Sequence, residues 1–198
     1  MEDWLALSPL PGVILWIILY ISDYYLTIYS ARGFKEIGHF QFEGSFELTP
    51  QYQKDVDALK PISRRHIILL ILYSLVIIGL WWLCLGLISW SWAYLVYLGM
   101  FLLVEVAVHL RHFRNIFLIR EIRKGGGVDG QITYRKFFSY KVSAFDLYLF
   151  AGLFFIVAIL TASPFFAGGA IMCLGTGVKH SRLAKKAKAN PPQLVQPK

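Results

Sequence analysis

A long run without any charged residue limits most strongly how this chain can fold. Residues 66–104 (HIILLILYSLVIIGLWWLCLGLISWSWAYLVYLGMFLLV) contain no Asp, Glu, Lys or Arg. A helix needs about 20 mostly apolar residues to cross a bilayer, so the run is long enough for two spans. The sequence SWSW at 89–92 provides a turn between them. The run therefore predicts a hairpin of two membrane-spanning helices.

The rest of the chain extends this prediction to an all-α, polytopic helical membrane protein with short amphipathic cytosolic elements. Hydrophobic residues make up 57% of the 198 residues and charged residues only 16%, which is more apolar than a typical soluble protein. The predicted spans are residues 10–29, 66–90, 92–112, 144–161 and 165–180. Residues 1–184 form one transmembrane domain, and residues 185–198 are predicted to be a disordered, basic, proline-containing tail.

The distribution of charge predicts the orientation. All 20 Lys and Arg residues lie in 30–65, in 111–143 or beyond residue 178, on the same side of a five-span protein. The positive-inside rule then places the N-terminus outside and the C-terminus in the cytosol, at the cell membrane. A four-span protein would leave the lysines of 179–188 outside.

The basic residues also predict the partners. They follow the inner edge of the membrane, so the net charge of +8 indicates anionic inner-leaflet lipids and no nucleic acid. The residues predicted to contact lipid headgroups are Arg111, Arg114, Arg135 and Lys136. Small residues in the last span, including Gly169, Cys173 and Gly177, permit close helix packing within the chain, a homo-oligomer or a larger membrane complex.

Two cytosolic connections carry patterns of their own. Residues 40–48 alternate apolar and polar side chains, which predicts a strand, and Thr49 and Pro50 predict the start of a short helix. Residues 134–145 combine aromatic and basic side chains at helical spacing. This pattern predicts an interfacial helix on the inner leaflet, with a solvated charged loop as the alternative.

Acidic residues within spans are costly and mark sites that face protein or a water-filled cavity. Asp23 and Glu105 both lie roughly 20 Å below the outer face at 1.5 Å per residue. On the third span, Glu105, His109 and His112 fall within about 60° of one another at 100° per residue. The sequence therefore places a carboxylate and two imidazoles on one stripe.

Three interpretations of this stripe remain open. Glu105 can pair with a neighbour such as His109 or Asn115, so that the polar groups only hold helices together. The set Glu105, His109 and His112 can bind a transition metal as a cofactor, because two imidazoles and a carboxylate suit iron or zinc. Asp23, Glu105 and the histidines can also pass protons or hold a cation.

Tyrosines surround Asp23 on the first span. Tyr20, Asp23, Tyr24 and Thr27 share one helical face, so they either line an inward-opening pocket or form an aromatic belt with a neutral Asp23. No phosphate-binding loop, nucleophile elbow or Cys-x2-Cys pair is present.

The expected function is transport of an ion or small ligand through a cytosol-facing polar cavity, or service as a membrane partner subunit. The alternatives are a membrane-embedded metal-dependent or acid–base enzyme and a structural or assembly helper.

Overall fold

The chain forms a bundle of long helices in a computed structural model that describes residues 2–125 and 127–189. Its helices are α1 (Asp3–Ala6), α2 (Leu10–Ile37), α3 (Gln53–Asp57), α4 (Arg64–Trp81), α5 (Ser91–Arg123), α6 (Lys136–Thr161) and α7 (Pro164–Ala189). Two short strands, β1 (Phe40–Phe42) and β2 (Ile132–Tyr134), pair in parallel. The prediction of an all-α fold is confirmed for the described part of the chain.

Within the described ranges 2–125 and 127–189, four helices are long and apolar enough to cross a membrane: α2, α4 with the π-helical segment Trp82–Leu87 that continues it, α5 and α6. The fifth predicted span lies in α7, which is not among them. The apolar part of α7 ends at Val178, before Lys179 and His180. From Pro164 this part extends roughly 22 Å at 1.5 Å per residue, which is shorter than a hydrocarbon core of about 30 Å.

The long helices continue beyond the predicted spans on the basic side. Helix α2 runs to Ile37, where Gly38 adopts a left-handed conformation, and α5 runs to Arg123. The segment 136–145, predicted to be part of an interfacial helix, forms the first turns of α6. Residues 185–189 of the predicted disordered tail are helical in α7, and residues 190–198 lie outside the described residues.

The strand predicted over 40–48 is limited to β1. Downstream of it, side chains bind the backbone: Ser45 Oγ accepts a bond from the Glu47 N–H at 3.1 Å, and Glu47 Oε1 accepts one from the Thr49 N–H at 2.6 Å. Such local bonds compete with a strand ladder. The following helix α3 begins at Gln53 rather than at Pro50, because Thr49 and Tyr52 close a turn first.

Helix α5 is the centre of the bundle. It packs against α2 on one side and against α7 on the other, and α6 packs along α7. The chain reverses between α6 and α7 at Ala162, which has φ 49°, and Ser163 Oγ accepts a bond from the Phe166 N–H at the start of α7. Pro164 can begin this helix because a first turn does not need its N–H.

Candidate functional site

A partly enclosed cavity of about 520 Å³ lies at the basic end of the bundle. Its walls come from α2, α5, α6 and α7, and the segment 40–56 covers it. The polar side chains that line it are Tyr20, Asp23, Tyr24, Thr27, Glu47, Thr49, Tyr52, His66, Glu105, Arg111, His112, Arg114, Asn115, Tyr134, Ser139, Ser143, Thr176 and His180. Three acids from three parts of the chain therefore share one cavity with three imidazoles.

Asp23, Glu105 and His109 form a cluster whose nearest ligand-type atoms all lie within 4.8 Å of one another. Asp23 comes from α2, whereas Glu105 and His109 are four residues apart on α5 and share a face. His109 Nδ1 lies 2.7 Å from the Glu105 carbonyl oxygen, and its Nε2 lies 2.7 Å from Ser22 Oγ. The structure thus brings together the two acids whose common depth the sequence predicts.

His112 lies beside this cluster rather than within it. Its Nε2 lies 3.0 Å from Asp23 Oδ1 and 3.1 Å from Thr27 Oγ1, and its buried Nδ1 has no hydrogen-bond partner among the described residues. The predicted metal set of Glu105, His109 and His112 stays a prediction. Among the described residues, the group whose ligand atoms converge contains Asp23, Glu105 and His109, while the imidazole of His112 contacts Asp23 and Thr27 of α2.

Aromatic residues join the cover of the cavity to its wall. Tyr20 OH and Tyr52 OH lie 2.6 Å apart, and Tyr24 OH donates to the Lys60 carbonyl at 2.8 Å. The ring of His66 stacks on Tyr20 with centroids 4.2 Å apart and lies 4.6 Å from Tyr24. Tyr20 and Tyr24 thus line a pocket as one of the two predicted alternatives has it.

The two arginines of α5 nearest the cavity are held by an acid that the sequence analysis missed. Arg111 Nε lies 3.5 Å and Arg114 Nη2 3.3 Å from Asp146 Oδ2 of α6. Arg111 is partly buried beside Asp146, whereas half of the Arg114 side chain is exposed. The headgroup contacts predicted for both arginines stay predictions. The signal was available, since Asp146 interrupts the apolar sequence SAFDLYLF, but it lies close to the predicted start of the fourth span.

Other predicted residues have simpler surroundings. Asn115 is half-buried at the cavity wall. Arg135 is exposed and immediately precedes α6, and the Lys136 backbone N–H donates to Glu43 Oε2 at 2.8 Å. The headgroup contacts of Arg135 and Lys136 therefore stay predictions. His180, from α7, bonds Ser143 Oγ at 2.8 Å across the cavity from the acid cluster.

Glu47 was also missed by the sequence analysis, because it lies in a loop with several other polar residues. Its carboxylate accepts the Thr49 N–H and lines the cavity from above. Burial raises the pKa of Glu47, and the nearby Asp23 raises it further, while the bond from Thr49 and the neighbouring His112 lower it. The pKa of Glu47 is raised overall, as expected for a carboxyl group that the cavity and its cover partly bury.

The fold and the site together define a helical bundle with a polar cavity built around buried carboxyl and imidazole groups. No protein-family model, no curated protein and no solved structure matches this chain. What the protein does must therefore be argued from the cavity itself.

Proposed function

We propose that this chain is a multi-pass membrane protein that transports a cation through its cavity. The observation that carries the proposal is the meeting of Asp23 and Glu105. They come from two helices that are each long and apolar enough to cross a membrane, and they face each other in the cavity. Carboxylates at such positions are expensive and typically mark ion pathways or proton relays.

The outer surface of the bundle supports placement in a membrane. Large apolar side chains are exposed all along α4 and α6, including Ile68, Leu75, Leu153, Ile159 and Leu160. A soluble protein rarely exposes contiguous apolar patches of this size. Polar groups are concentrated inside instead, as expected for helices whose surroundings are hydrocarbon.

The charge balance of the cavity favours a cation over an anion. Arg111 and Arg114 share Asp146, so this group retains one positive charge at most. Asp23, Glu47 and Glu105 supply up to three negative charges, and the imidazole of His112 lies against Asp23. Protons or a bound cation would complete the neutralisation of this buried group.

The proposed direction of access is from the cytosol. The cavity lies at the end of the bundle from which the basic connections emerge. Although the apolar part of α7 is short for a span, α7 packs along α6 and returns the chain to this basic end, so we place the N-terminus outside at the cell membrane and the C-terminus inside. A single cysteine placed near Trp4 should react with a membrane-impermeant maleimide on intact cells. Labelling only after lysis would reverse the proposed topology.

Flux into proteoliposomes tests the transport proposal. Vesicles containing either a trapped pH dye or a trapped divalent-metal indicator are given an inward gradient of H⁺ or Mn²⁺. The wild-type protein should increase the initial rate at least several-fold over protein-free vesicles, and Glu105→Gln should abolish the increase because one buried charge is removed.

The matched control is Glu121→Gln, the same substitution on the same helix at an exposed residue that pairs with Lys124. This variant should retain the wild-type rate. Equal rates for wild-type and protein-free vesicles, with both indicators, would overturn the proposal. Equal losses in both variants would also overturn it, because the cavity would then have no special role.

A further inference from the structure

The structure assigns a binding site for a divalent transition metal to Asp23, Glu105 and His109. This site names the class of cation that the proposed function leaves open. Its role in transport rests on the proposed function, whereas metal binding itself does not. The site itself stands on the orientation of one imidazole, on one unpartnered carboxylate oxygen and on a set of supporting bonds around them.

The hydrogen bonds of His109 determine which ring nitrogen carries the proton. The Glu105 carbonyl oxygen, 2.7 Å from Nδ1, can only accept a hydrogen bond, so Nδ1 carries the proton and donates it. In the neutral ring Nε2 therefore carries a lone pair. Metal-binding histidines characteristically donate their other N–H to a carbonyl or carboxylate in this way.

The lone pair on His109 Nε2 has no hydrogen-bond donor dedicated to it. Ser22 Oγ is 2.7 Å from Nε2, but it is also 2.7 Å from the Ile18 carbonyl and 3.0 Å from the Leu19 carbonyl. A hydroxyl has one proton, so three acceptors compete for it. When the proton goes to the helix backbone, His109 Nε2 is free to bind a metal.

Glu105 contributes an unpaired carboxylate oxygen to the cluster. Its Oε2 atom is buried and has no hydrogen-bond partner among the described residues, although it belongs to the same cluster as Asp23. Burying an unpaired carboxylate oxygen costs free energy, and a second carboxylate beside it adds repulsion. A divalent cation between the two acids removes both costs at once.

Neighbouring side chains orient the carboxylate of Asp23. The Nε2 of His112 is 3.0 Å from Asp23 Oδ1, and Thr27 bonds the same imidazole. The carboxylate is thus oriented by a second histidine that is not itself in the cluster. Asp23 keeps a quarter of its side-chain surface exposed, which leaves a way for an ion to enter from the cavity.

The donor set selects the kind of metal. Two carboxylates and one imidazole suit Mn²⁺, Fe²⁺ or Zn²⁺, whereas Mg²⁺ prefers oxygen ligands and retains its waters. Ligand atoms around a tetrahedral Zn²⁺ lie roughly 3.3 Å apart, and those of the cluster lie within 4.8 Å of one another, so the cluster must contract by at most about 1.5 Å. Rotations of the long Glu105 side chain can supply this contraction.

Equilibrium dialysis of the full-length protein in detergent, with Zn²⁺ or Mn²⁺ alone, tests the site. We expect one ion per chain, no displacement by a 100-fold excess of Mg²⁺, and at least a 100-fold loss of affinity in His109→Ala. The matched control is His180→Ala, because this imidazole lines the cavity that Asp23 and Glu105 also line, but it bonds Ser143 and lies outside the cluster. It should retain the wild-type affinity.

X-ray absorption at the zinc edge of the wild-type protein needs no variant to fold. The spectrum should show nitrogen and oxygen ligands at metal–ligand distances of about 2.0–2.2 Å, together with the scattering of one imidazole. Binding without imidazole scattering, equal competition by Mg²⁺, or no stoichiometric ion would overturn the metal site. Metal binding without flux would leave the site standing and overturn transport, while proton flux without metal binding would do the reverse.

Discussion

Gly99 of α5 and Gly168 of α7 bring the backbones of their two helices into direct contact. A Cβ atom placed on Gly99 would lie 1.9 Å from the Phe165 carbonyl oxygen, and one placed on Gly168 would lie 1.9 Å from the Val96 carbonyl oxygen. The partner atoms in both cases are backbone, which cannot rotate away. This contact fixes α7 against the central helix and thereby holds one wall of the cavity.

Replacing Gly99 with alanine should therefore destabilise the bundle. The added methyl group must separate α5 from α7, and overpacking of this kind costs about 1–3 kcal/mol. Thermal unfolding in detergent, followed by circular dichroism, measures the change. Gly152→Ala on α6 is the control, because nothing lies within 4 Å of its Cβ position, and it should be neutral or slightly stabilising. Equal melting temperatures for the two variants would contradict the helix contact.

Asp146→Asn should cost considerably more than the loss of a surface acid. The change leaves the guanidinium groups of Arg111 and Arg114 without their carboxylate. Most of the loss should come from Arg111, because half of the Arg114 side chain is exposed, and breaking a buried pair costs about 3 kcal/mol. Glu36→Gln is the comparison, because Glu36 pairs with Arg123 at an exposed position where such pairs contribute about 0–1 kcal/mol. Chemical unfolding in mixed micelles measures both, and similar small losses would argue against a structural role of Asp146.

The sequence was sufficient to predict the helical class of the fold, and it indicated which polar residues share a helix face and a depth. Charge-free runs have a strong physical reason to be helical, and the spacing of Glu105 and His109 places them on one face of α5. Counting residues from the outer end also placed Asp23 at the depth of Glu105. Depth and face along a single helix follow from the geometry of that helix alone, so no knowledge of its neighbours was needed.

The other features of the site depend on how the helices are rotated against one another, and a short stretch of sequence does not encode that rotation. A single stripe was predicted to face a cavity, but α5 is buried on several sides, so Arg111, off the stripe, also faces the interior. Within the stripe, His112 reaches across to Asp23 and Thr27 instead of joining His109. Glu47 reaches the cavity only because the segment 40–56 folds over it.

Tyr20 and Tyr52 should be energetically coupled, because their hydroxyl groups share a hydrogen bond between the cavity wall and its cover. Tyr20→Phe and Tyr52→Phe should each lower the free energy of unfolding by about 1 kcal/mol, and the double variant should cost little more than either one. Tyr25→Phe is the control on the same helix, since Tyr25 is exposed. Additive losses in the double variant would show that the two hydroxyls act independently.

Glu47→Gln should remove a dependence of stability on pH. Burial raises the pKa of Glu47 above its ordinary value of 4.5, so the folded protein holds this proton more tightly than the unfolded chain does. The contribution of Glu47 to stability is therefore largest below pH 4.5 and falls as the pH rises through the folded pKa. Glutamine keeps the oxygen that accepts the Thr49 N–H but carries no charge.

Melting temperatures of wild type and Glu47→Gln, compared from pH 4 to pH 8 in detergent, should diverge as the pH increases, with the variant more stable at the upper end. Asp23 and His112 face the same carboxyl group and are present in both proteins, so the difference between the two proteins, rather than either curve alone, isolates Glu47. Glu121→Gln should follow the wild-type curve, because that acid is half exposed and pairs with Lys124. A Glu47→Gln curve parallel to the wild type would mean that the cover leaves Glu47 in water, and the cavity would then be open at the basic end of the bundle.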